Sequence, residues 1–211
     1  MKKIMFNDKY GLTQAVLEGR KTQTRRLINP TMFFQRLETY EGWSSEDIRA
    51  WKRSCNRRFY EAKGDMLQQM LDYALSSSHY KVGEEIAVAQ SYKDAGIDPF
   101  FLLSPLGDGV NAMDSNGWNN KMFVRAELMP HIIKITNIRV ERLQDISDED
   151  CLKEGIDKRG GAPMEFYVRG EDDILFDTPQ RAFASLIDKT CGKGTWESNP
   201  YVFVYEFELT K

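Results

Sequence analysis

Residues 19–26 read Gly-Arg-Lys-Thr-Gln-Thr-Arg-Arg, and they follow a segment with apolar residues at helical spacing. The eight residues hold a turn glycine, four cationic side chains and two threonine hydroxyls. Gly19 comes after Leu12, Ala15 and Val16, so it is expected to end a helix in a left-handed conformation. Such a segment suits an anionic ligand, either a phosphate or a nucleobase with its sugar-phosphate. The alternative is a solvated basic turn.

The backbone after Gly19 is predicted to continue as a strand over residues 22–28. In a regular strand Lys21 and Thr24 would point to opposite faces, because successive side chains alternate. If both line one pocket, the backbone near Thr22 must be irregular, with a turn or a bulge. A pocket shared by Lys21 and Thr24 therefore requires a departure from regular strand geometry near Thr22.

The composition restricts the class of protein. The chain has 211 residues, of which 41% are hydrophobic and 29% charged, which is enough for one domain with a substantial core. A formal net charge of -3 excludes a protein that coats polyanions over its whole surface, so any nucleic-acid contact requires a local basic patch.

The cysteines and histidines suggest no metal site or cofactor. Cys55, Cys151 and Cys191 are odd in number and lack C-x-x-C spacing, which argues against a disulfide framework or zinc and fits a reducing compartment. His79 and His131 are isolated in the sequence. Since neither a signal peptide nor a membrane-length apolar run is evident, we expect a cytoplasmic protein without membrane contact.

Residues 44–76 are predicted to form two helices within a helical insertion at about 31–79. Ser44 and Asp47 have capping-box-like spacing at the start of the first helix, and Phe59 lies on its apolar stripe. That helix is basic, with cations at Arg49, Lys52, Arg53, Arg57, Arg58 and Lys63. Its basic face is expected either to contact phosphates or to be solvated.

The rest of the chain alternates irregularly between strands and helices. Strands are predicted at 86–92, 132–143 and 201–209, and helices at 147–154 and from residue 178. A long loop is expected at about 94–121, anchored by Trp118 and the apolar residues 100–103, and another loop at 157–177. This order predicts an α+β fold in a single domain, with a mixed sheet curled towards a small barrel.

Glu154 is the acid at the end of the 147–154 helix, which Gly155 stops. A carboxylate in the last turn is unfavourably placed against the helix dipole. It therefore suggests either a cationic partner or plain exposure.

Several segments together resemble the ASCH-domain family of the PUA-like β-barrel superfamily, especially its phage and prophage members. The resemblance lies in residues 19–26, in Lys-Val-Gly-Glu at 81–84, in Arg-Val-Glu-Arg-Leu-Gln-Asp-Ile-Ser at 139–147, in Glu-Gly-Ile at 154–156 and in Trp-Glu-Ser-Asn-Pro at 196–200. It implies a PUA-like mixed β-barrel with flanking helices, and a cleft beside residues 19–26 that faces a nucleic acid or nucleoside.

Small bacterial members of that family hydrolyse the acetyl amide of N4-acetylcytidine. Their pocket is similar to this sequence at Lys21, Thr24 and Glu154. The resemblance thus implies that Thr24 is the nucleophile, Lys21 its activator, and Glu154 a proton carrier or orienting acid.

The implied chemistry sets conditions on these side chains. A threonine hydroxyl needs a base to take its proton, and a lysine can act as that base only if burial or neighbouring cations lower its pKa. Arg20 and Arg25 are adjacent cations, while Arg26 or a backbone N–H could stabilise the oxyanion. The alternative is a structural ion pair between Lys21 and Glu154.

Two functions follow as hypotheses. The first is an RNA- or nucleotide-recognising domain whose basic cleft at residues 20–26 binds its ligand through Arg20, Arg25 and Arg26. The second is an amidohydrolase acting on N4-acylated cytidine through Thr24, Lys21 and Glu154. A phage-borne interaction protein without a ligand is a third option.

Overall fold

The computed structural model describes residues 1–34, 43–103, 109–161, 163–171 and 174–211. Parts of the predicted insertion and of the predicted long loop, at residues 35–42 and 104–108, lie outside the described residues. Within the described ranges the chain is α+β, as the sequence predicted.

The strands are β1 (Lys2–Ile4), β2 (Gln23–Leu27), β3 (Glu85–Val88), β4 (Ile132–Arg142), β5 (Asp157–Arg159), β6 (Glu165–Tyr167) and β7 (Tyr201–Leu209). The α-helices are α1 (Leu12–Leu17), α2 (Ser45–Glu61), α3 (Gly64–Ser76), α4 (Asp148–Lys153), α5 (Pro179–Cys191) and α6 (Thr195–Ser198).

One five-stranded sheet organises the molecule, in the order β1-β3-β4-β7-β2. β1 runs parallel to β3, whereas the β3–β4, β4–β7 and β7–β2 pairs are antiparallel, so the sheet is mixed as predicted. The register of β4 against β7 shifts between Ile135 and Asn137, which marks a bulge in the middle of the longest strand. β5 and β6 form a separate hairpin.

The sheet is open and does not form a closed barrel, so the prediction of a PUA-like mixed β-barrel is not confirmed. β1 and β2 are the two edges, and within the described part of the chain no strand pairing joins them. The chain leaves β1 after Ile4, and Asn7 caps a 3₁₀ turn at Asp8–Tyr10, so the backbone turns away before it could pair with β2. A side chain crosses the gap instead, because Arg26 Nη2 donates a hydrogen bond to the Met5 carbonyl at 2.7 Å.

Strand β3 divides its side chains between two cores. Ile86 and Val88 join the main core with residues of α1 and α5, while Ala87 faces a smaller core under the long loop. Trp118 packs against that smaller core, as expected. The expectation that residues 100–103 anchor the loop is wrong for its first three residues, which are exposed.

Helices α2 and α3 confirm the helical prediction for residues 44–76. Ser44 and Asp47 form the capping box at the start of α2. Phe59 is fully buried, and its ring stacks on Phe33 at a centroid distance of 4.7 Å and meets Tyr201 edge-on at 5.4 Å. The contact with Tyr201 attaches α2 to the start of β7.

Two other boundaries differ from prediction. β3 ends at Val88, four residues earlier than the predicted strand. The segment 157–177, predicted to be a loop, contains the β5–β6 hairpin. Each of its strands is only three residues long, which is too short for an alternating pattern to be distinguished from a loop.

Candidate active site

The corner at Gly19 has the irregular backbone that the shared-pocket hypothesis required. Gly19 adopts the left-handed conformation with φ of 71°. The N–H groups of Arg20 and Lys21 both donate to the Ala15 carbonyl at 2.9 Å, and β2 begins only at Gln23. Since Lys21 precedes the strand, alternation does not force it away from Thr24, and both line the same cavity.

This cavity, which we call the seam cavity, has a volume of about 530 Å³ and lies at the gap between β1 and β2. The segment after β1, the edge strand β2 and helix α5 all contribute to its wall. Its volume falls in the range typical of small-molecule sites. Of the residues that the sequence predicted for the site, the lining includes Lys21, Thr24, Arg25, Arg26 and Glu154.

Lys21 and Glu154 form a buried ion pair in the wall of the seam cavity. Lys21 Nζ lies 2.6 Å from Glu154 Oε2 and donates a second hydrogen bond to the Glu154 carbonyl at 2.7 Å. Their side chains are only 2% and 5% exposed. Burial lowers the pKa of Lys21; the Glu154 carboxylate opposes this shift, and the charges of Arg26 and Arg25 reinforce it.

The contacts of Glu154 explain how a carboxylate is accommodated at the C-terminus of α4. Glu154 caps the C-terminus of α4, and Lys21 bonds both its carboxylate and its main-chain carbonyl. A cation at a helix C-terminus is favourable, so Lys21 offsets the cost of an acid there. Gly155 then turns the chain with φ of 97°, close to the stem of Lys21.

Arg25 lies on the cavity lining, but three carboxylates hold its guanidinium. It donates to Glu141 at 2.6 Å, to Asp150 at 3.1 Å and, through Nη1, to Glu154 Oε1 at 3.1 Å. Burial alone would lower the pKa of Arg25, but the charges of Glu154 and Glu141 outweigh it and the pKa is raised. Arg25 therefore fixes the carboxylate of Glu154 from the side opposite Lys21.

The charged cluster extends outward along β4. Arg139 pairs with Glu141 at 2.9 Å, with Asp150 at 2.6 Å and with Glu206. Burial tends to raise the pKa of Asp150, but the hydrogen bond from Arg25 and the charges of Arg25 and Arg139 lower it overall. The cluster thus joins the cations Lys21, Arg25 and Arg139 to the carboxylates Glu141, Asp150, Glu154 and Glu206.

The predicted ligand-binding arginines separate in the structure. Arg20 pairs with Glu18 and with Asp157 at 2.8 Å and is not part of the lining described for the seam cavity. Arg26 is exposed and lines the cavity while it bridges to Met5. Because Lys21 and Arg25 are already matched by acids, the corner offers less free positive charge than its sequence indicated.

Thr24 has an unengaged hydroxyl on the cavity lining. The residue is buried, yet within the described part of the chain its side chain makes no hydrogen bond. The Phe207 N–H donates to the Thr22 carbonyl, and the Ile28 N–H donates to the Tyr201 carbonyl. The main-chain N–H and C=O groups of the even-numbered residues of β2 therefore point towards β7. By the antiparallel pattern, the N–H of Arg25 points to the free edge of β2.

Sequence reasoning missed the supporting carboxylates. Arg139 and Glu141 are two residues apart on a strand, a spacing that puts them on one face. This spacing could have placed Arg139 and Glu141 together. It could not place them near Arg25, because Arg25 and Arg139 both pair with Val204 only when β7 lies between β2 and β4. Asp150 lies in the first turn of α4, and its carboxylate binds Arg25 and Arg139.

Comparison with protein-family models, with curated proteins and with solved structures finds no match to this chain. Among the residues that the structure describes, no three His, Cys, Asp or Glu side chains are grouped to hold a metal ion. None of the described helices has the length and apolar character needed to span a bilayer.

Proposed function

We propose that this chain is a hydrolase that removes an acyl group from an exocyclic amine of a nucleobase, with N4-acylated cytidine as the substrate class. The observation that carries the proposal is the shared lining of one cavity by the buried Lys21–Glu154 pair and the unengaged Thr24 hydroxyl. The resemblance of residues 19–26 and 154–156 to the ASCH-domain amidohydrolases supplies the substrate class.

In the proposed reaction, neutral Lys21 takes the proton of the Thr24 hydroxyl. Thr24 Oγ1 then attacks the amide carbonyl carbon, and collapse of the tetrahedral intermediate breaks the bond to the base nitrogen, which leaves with the proton from Lys21. Water cleaves the resulting ester and releases the carboxylic acid. The lowered pKa of Lys21 favours the neutral amine that this step requires.

Glu154 is assigned an orienting role. Its Oε2 and carbonyl oxygen occupy two of the three bonding positions of Lys21 Nζ, which leaves one position for Thr24 or a leaving group. The oxyanion would be stabilised by the Arg25 main-chain N–H at the free edge of β2 or by the Arg26 guanidinium.

The proposal is tested with N4-acetylcytidine as substrate, by following the release of cytidine and acetate. We expect wild type to turn over, Thr24→Ser to retain measurable activity and Thr24→Ala to lose it by about a thousandfold or more. Equal rates for wild type and Thr24→Ala would remove the threonine from the mechanism.

A second candidate is RNA recognition, and a specific observation favours it. Five cations of α2 and the link that follows it are exposed and have no ion pair within the described ranges: Arg49, Lys52, Arg53, Arg57 and Lys63. Arg58 packs over the Phe34 ring at 4.4 Å. The support for phosphate contact therefore lies mainly on α2 rather than at residues 20–26.

Filter binding of RNA across a salt series tests this candidate. Phosphate contacts release counterions, so affinity should fall steeply as salt rises. A flat salt response would exclude such contacts. Retained RNA affinity in Thr24→Ala would show that binding does not depend on the proposed nucleophile.

A further inference from the structure

A second cavity adjoins the seam cavity on the other side of the Arg26–Met5 bridge. Its volume is about 440 Å³, and it shares Met5 and Arg26 with the seam cavity as wall residues. The hydrogen bond from Arg26 Nη2 to the Met5 carbonyl forms part of the boundary between the two. A ligand that extends past Arg26 would therefore enter the second cavity.

The wall of the second cavity suits a flat aromatic ring. Its aromatic residues are His79, Tyr80, Phe203 and Tyr205, and its aliphatic ones include Leu27 and Met32. Tyr205 is fixed through its hydroxyl, which lies 2.9 Å from Ser78 Oγ, and its ring meets Tyr80 edge-on at 5.2 Å. Of these rings, that of His79 is exposed, and an exposed aromatic ring stacks a nucleobase with little preference for sequence.

Polar groups at the rim match the edges and the linker of a nucleotide. Asn29 Oδ1 accepts bonds from the Thr31 N–H and hydroxyl at 3.1 Å and 2.9 Å, which turns the Asn29 amide NH₂ outward as a donor. Arg26 is exposed, and Met5 is the hydrogen-bond partner of its guanidinium within the described part of the chain. Its remaining donors are placed for a phosphate that passes between the cavities.

We infer that the substrate is a nucleotide chain rather than a free nucleoside, with the acylated base in the seam cavity, the phosphodiester on Arg26 and the neighbouring base in the second cavity. The inference rests on the proposed function for the role of the seam cavity. It also assigns a binding role to the predicted insertion at 31–79. Three residues of that segment, Met32, Ser77 and His79, line the second cavity.

The test compares N4-acetylcytidine with dinucleoside monophosphates of N4-acetylcytidine and uridine, in both 5′ and 3′ orders. We expect kcat/KM for one order to exceed that for the nucleoside by about tenfold or more, the gain that stacking one base provides. A ratio near one for both orders in wild type would overturn the inference.

Ser77→Trp is the informative variant, because Ser77 is exposed at the C-terminus of α3 and lines the second cavity. The indole should fill the cavity and reduce the dinucleotide-to-nucleoside ratio to about one. Ser76→Trp is the matched control, since Ser76 is also exposed but is absent from that lining. A ratio unaffected by Ser77→Trp would count against the second cavity.

A binding measurement separates failure of this inference from failure of the proposed reaction. If no substrate is hydrolysed, the proposed function fails, and affinities for the same probes are measured by calorimetry on wild type and Ser77→Trp. Tighter dinucleotide binding that Ser77→Trp abolishes would still support the two-cavity site, whereas equal affinities for nucleoside and dinucleotide would overturn it.

Discussion

Glu154 presents its two carboxylate oxygens to two different cations, with Oε2 2.6 Å from Lys21 Nζ and Oε1 3.1 Å from Arg25 Nη1. The carboxylate of Glu154 is thus held between Lys21, which precedes β2, and Arg25, which lies within β2. Removing either cation leaves the carboxylate with a cationic partner, whereas removing the acid leaves Lys21 buried with the main-chain carbonyl of residue 154 but without an acidic partner. This asymmetry governs both the stability and the pH dependence expected of the site.

The rate of the proposed reaction should depend on the protonation of Lys21. Burial lowers the pKa of Lys21 below the ordinary 10.5, and only the neutral amine can accept the proton of Thr24. We therefore expect kcat/KM for N4-acetylcytidine to rise with pH through the Lys21 pKa and to level off below pH 10.5. The pH–rate profile of wild type measures the position of this limb.

The charge of Arg26 also lowers the pKa of Lys21, so Arg26→Gln should move the rising limb to higher pH. Arg181→Gln is the control, because Arg181 is 70% exposed on α5 and pairs with Asp177. An unshifted limb in Arg26→Gln would contradict the assignment of the limb to Lys21.

Glu154→Gln should destabilise the fold more than Lys21→Met. Without Glu154 the ammonium of Lys21 is left in the core without an acid, and breaking a buried pair in this way costs about 3 kcal/mol or more. With Lys21→Met, Glu154 keeps Arg25 as its partner and the methionine fills the space, so the loss should be smaller by about 2 kcal/mol. Urea unfolding at neutral pH gives both values, and equal losses would show that Arg25 does not support the carboxylate.

The sequence contained the components of this site but not their arrangement. The left-handed Gly19, the strand of β2 and the helix before Gly155 follow from local turn and capping chemistry, and all three were predicted. The pairing of Lys21 with Glu154 joins residues 133 positions apart. It was expected only because similar residues occur in a known family.

The open sheet has a local cause. Alternation and β-branched content predict strands, but they do not show whether the two edge strands meet. Here the chain turns at Asn7 before β1 is long enough to reach β2, so the edges are joined by Arg26 and Met5 instead of a ladder. The role of Arg25 could not be predicted for a related reason, since its three carboxylates come from β4 and α4.

Phe59→Ala should weaken the attachment of α2 to the sheet. The ring is fully buried between Phe33 and Tyr201, and removing such a side chain costs about 3–5 kcal/mol. Met66→Ala on α3 is the control, because Met66 is 60% exposed and its truncation should change stability by no more than about 0.5 kcal/mol. Limited proteolysis should cut residues 44–76 faster in Phe59→Ala; a cleavage pattern like that of Met66→Ala would place the anchor elsewhere.

Alanine substitutions at Gly155 and Gly19 distinguish the effect of backbone strain from the effect of crowding by the added methyl group. Both have positive φ, 97° and 71°, so alanine is strained at either position. A Cβ at Gly19 would meet no atom within 4 Å, whereas at Gly155 it would lie 3.2 Å from Leu12 Cδ2 and 3.6 Å from Lys21 Cδ. Gly19→Ala should therefore cost about 1 kcal/mol, and Gly155→Ala about 1 kcal/mol more.

The activities of the two variants should also differ. In Gly155→Ala the added methyl group would lie 3.2 Å from Leu12 Cδ2, and the backbone shift that relieves this contact would move the adjacent Glu154 carbonyl that binds Lys21 Nζ. We therefore expect kcat to fall by about tenfold or more, because proton transfer is sensitive to small displacements. In Gly19→Ala the added methyl group would meet no atom within 4 Å, so kcat should change by less. Parallel assays with N4-acetylcytidine and parallel urea unfolding decide this. If the two variants lose kcat to the same degree, crowding by the added methyl group is not the reason that glycine is required at position 155.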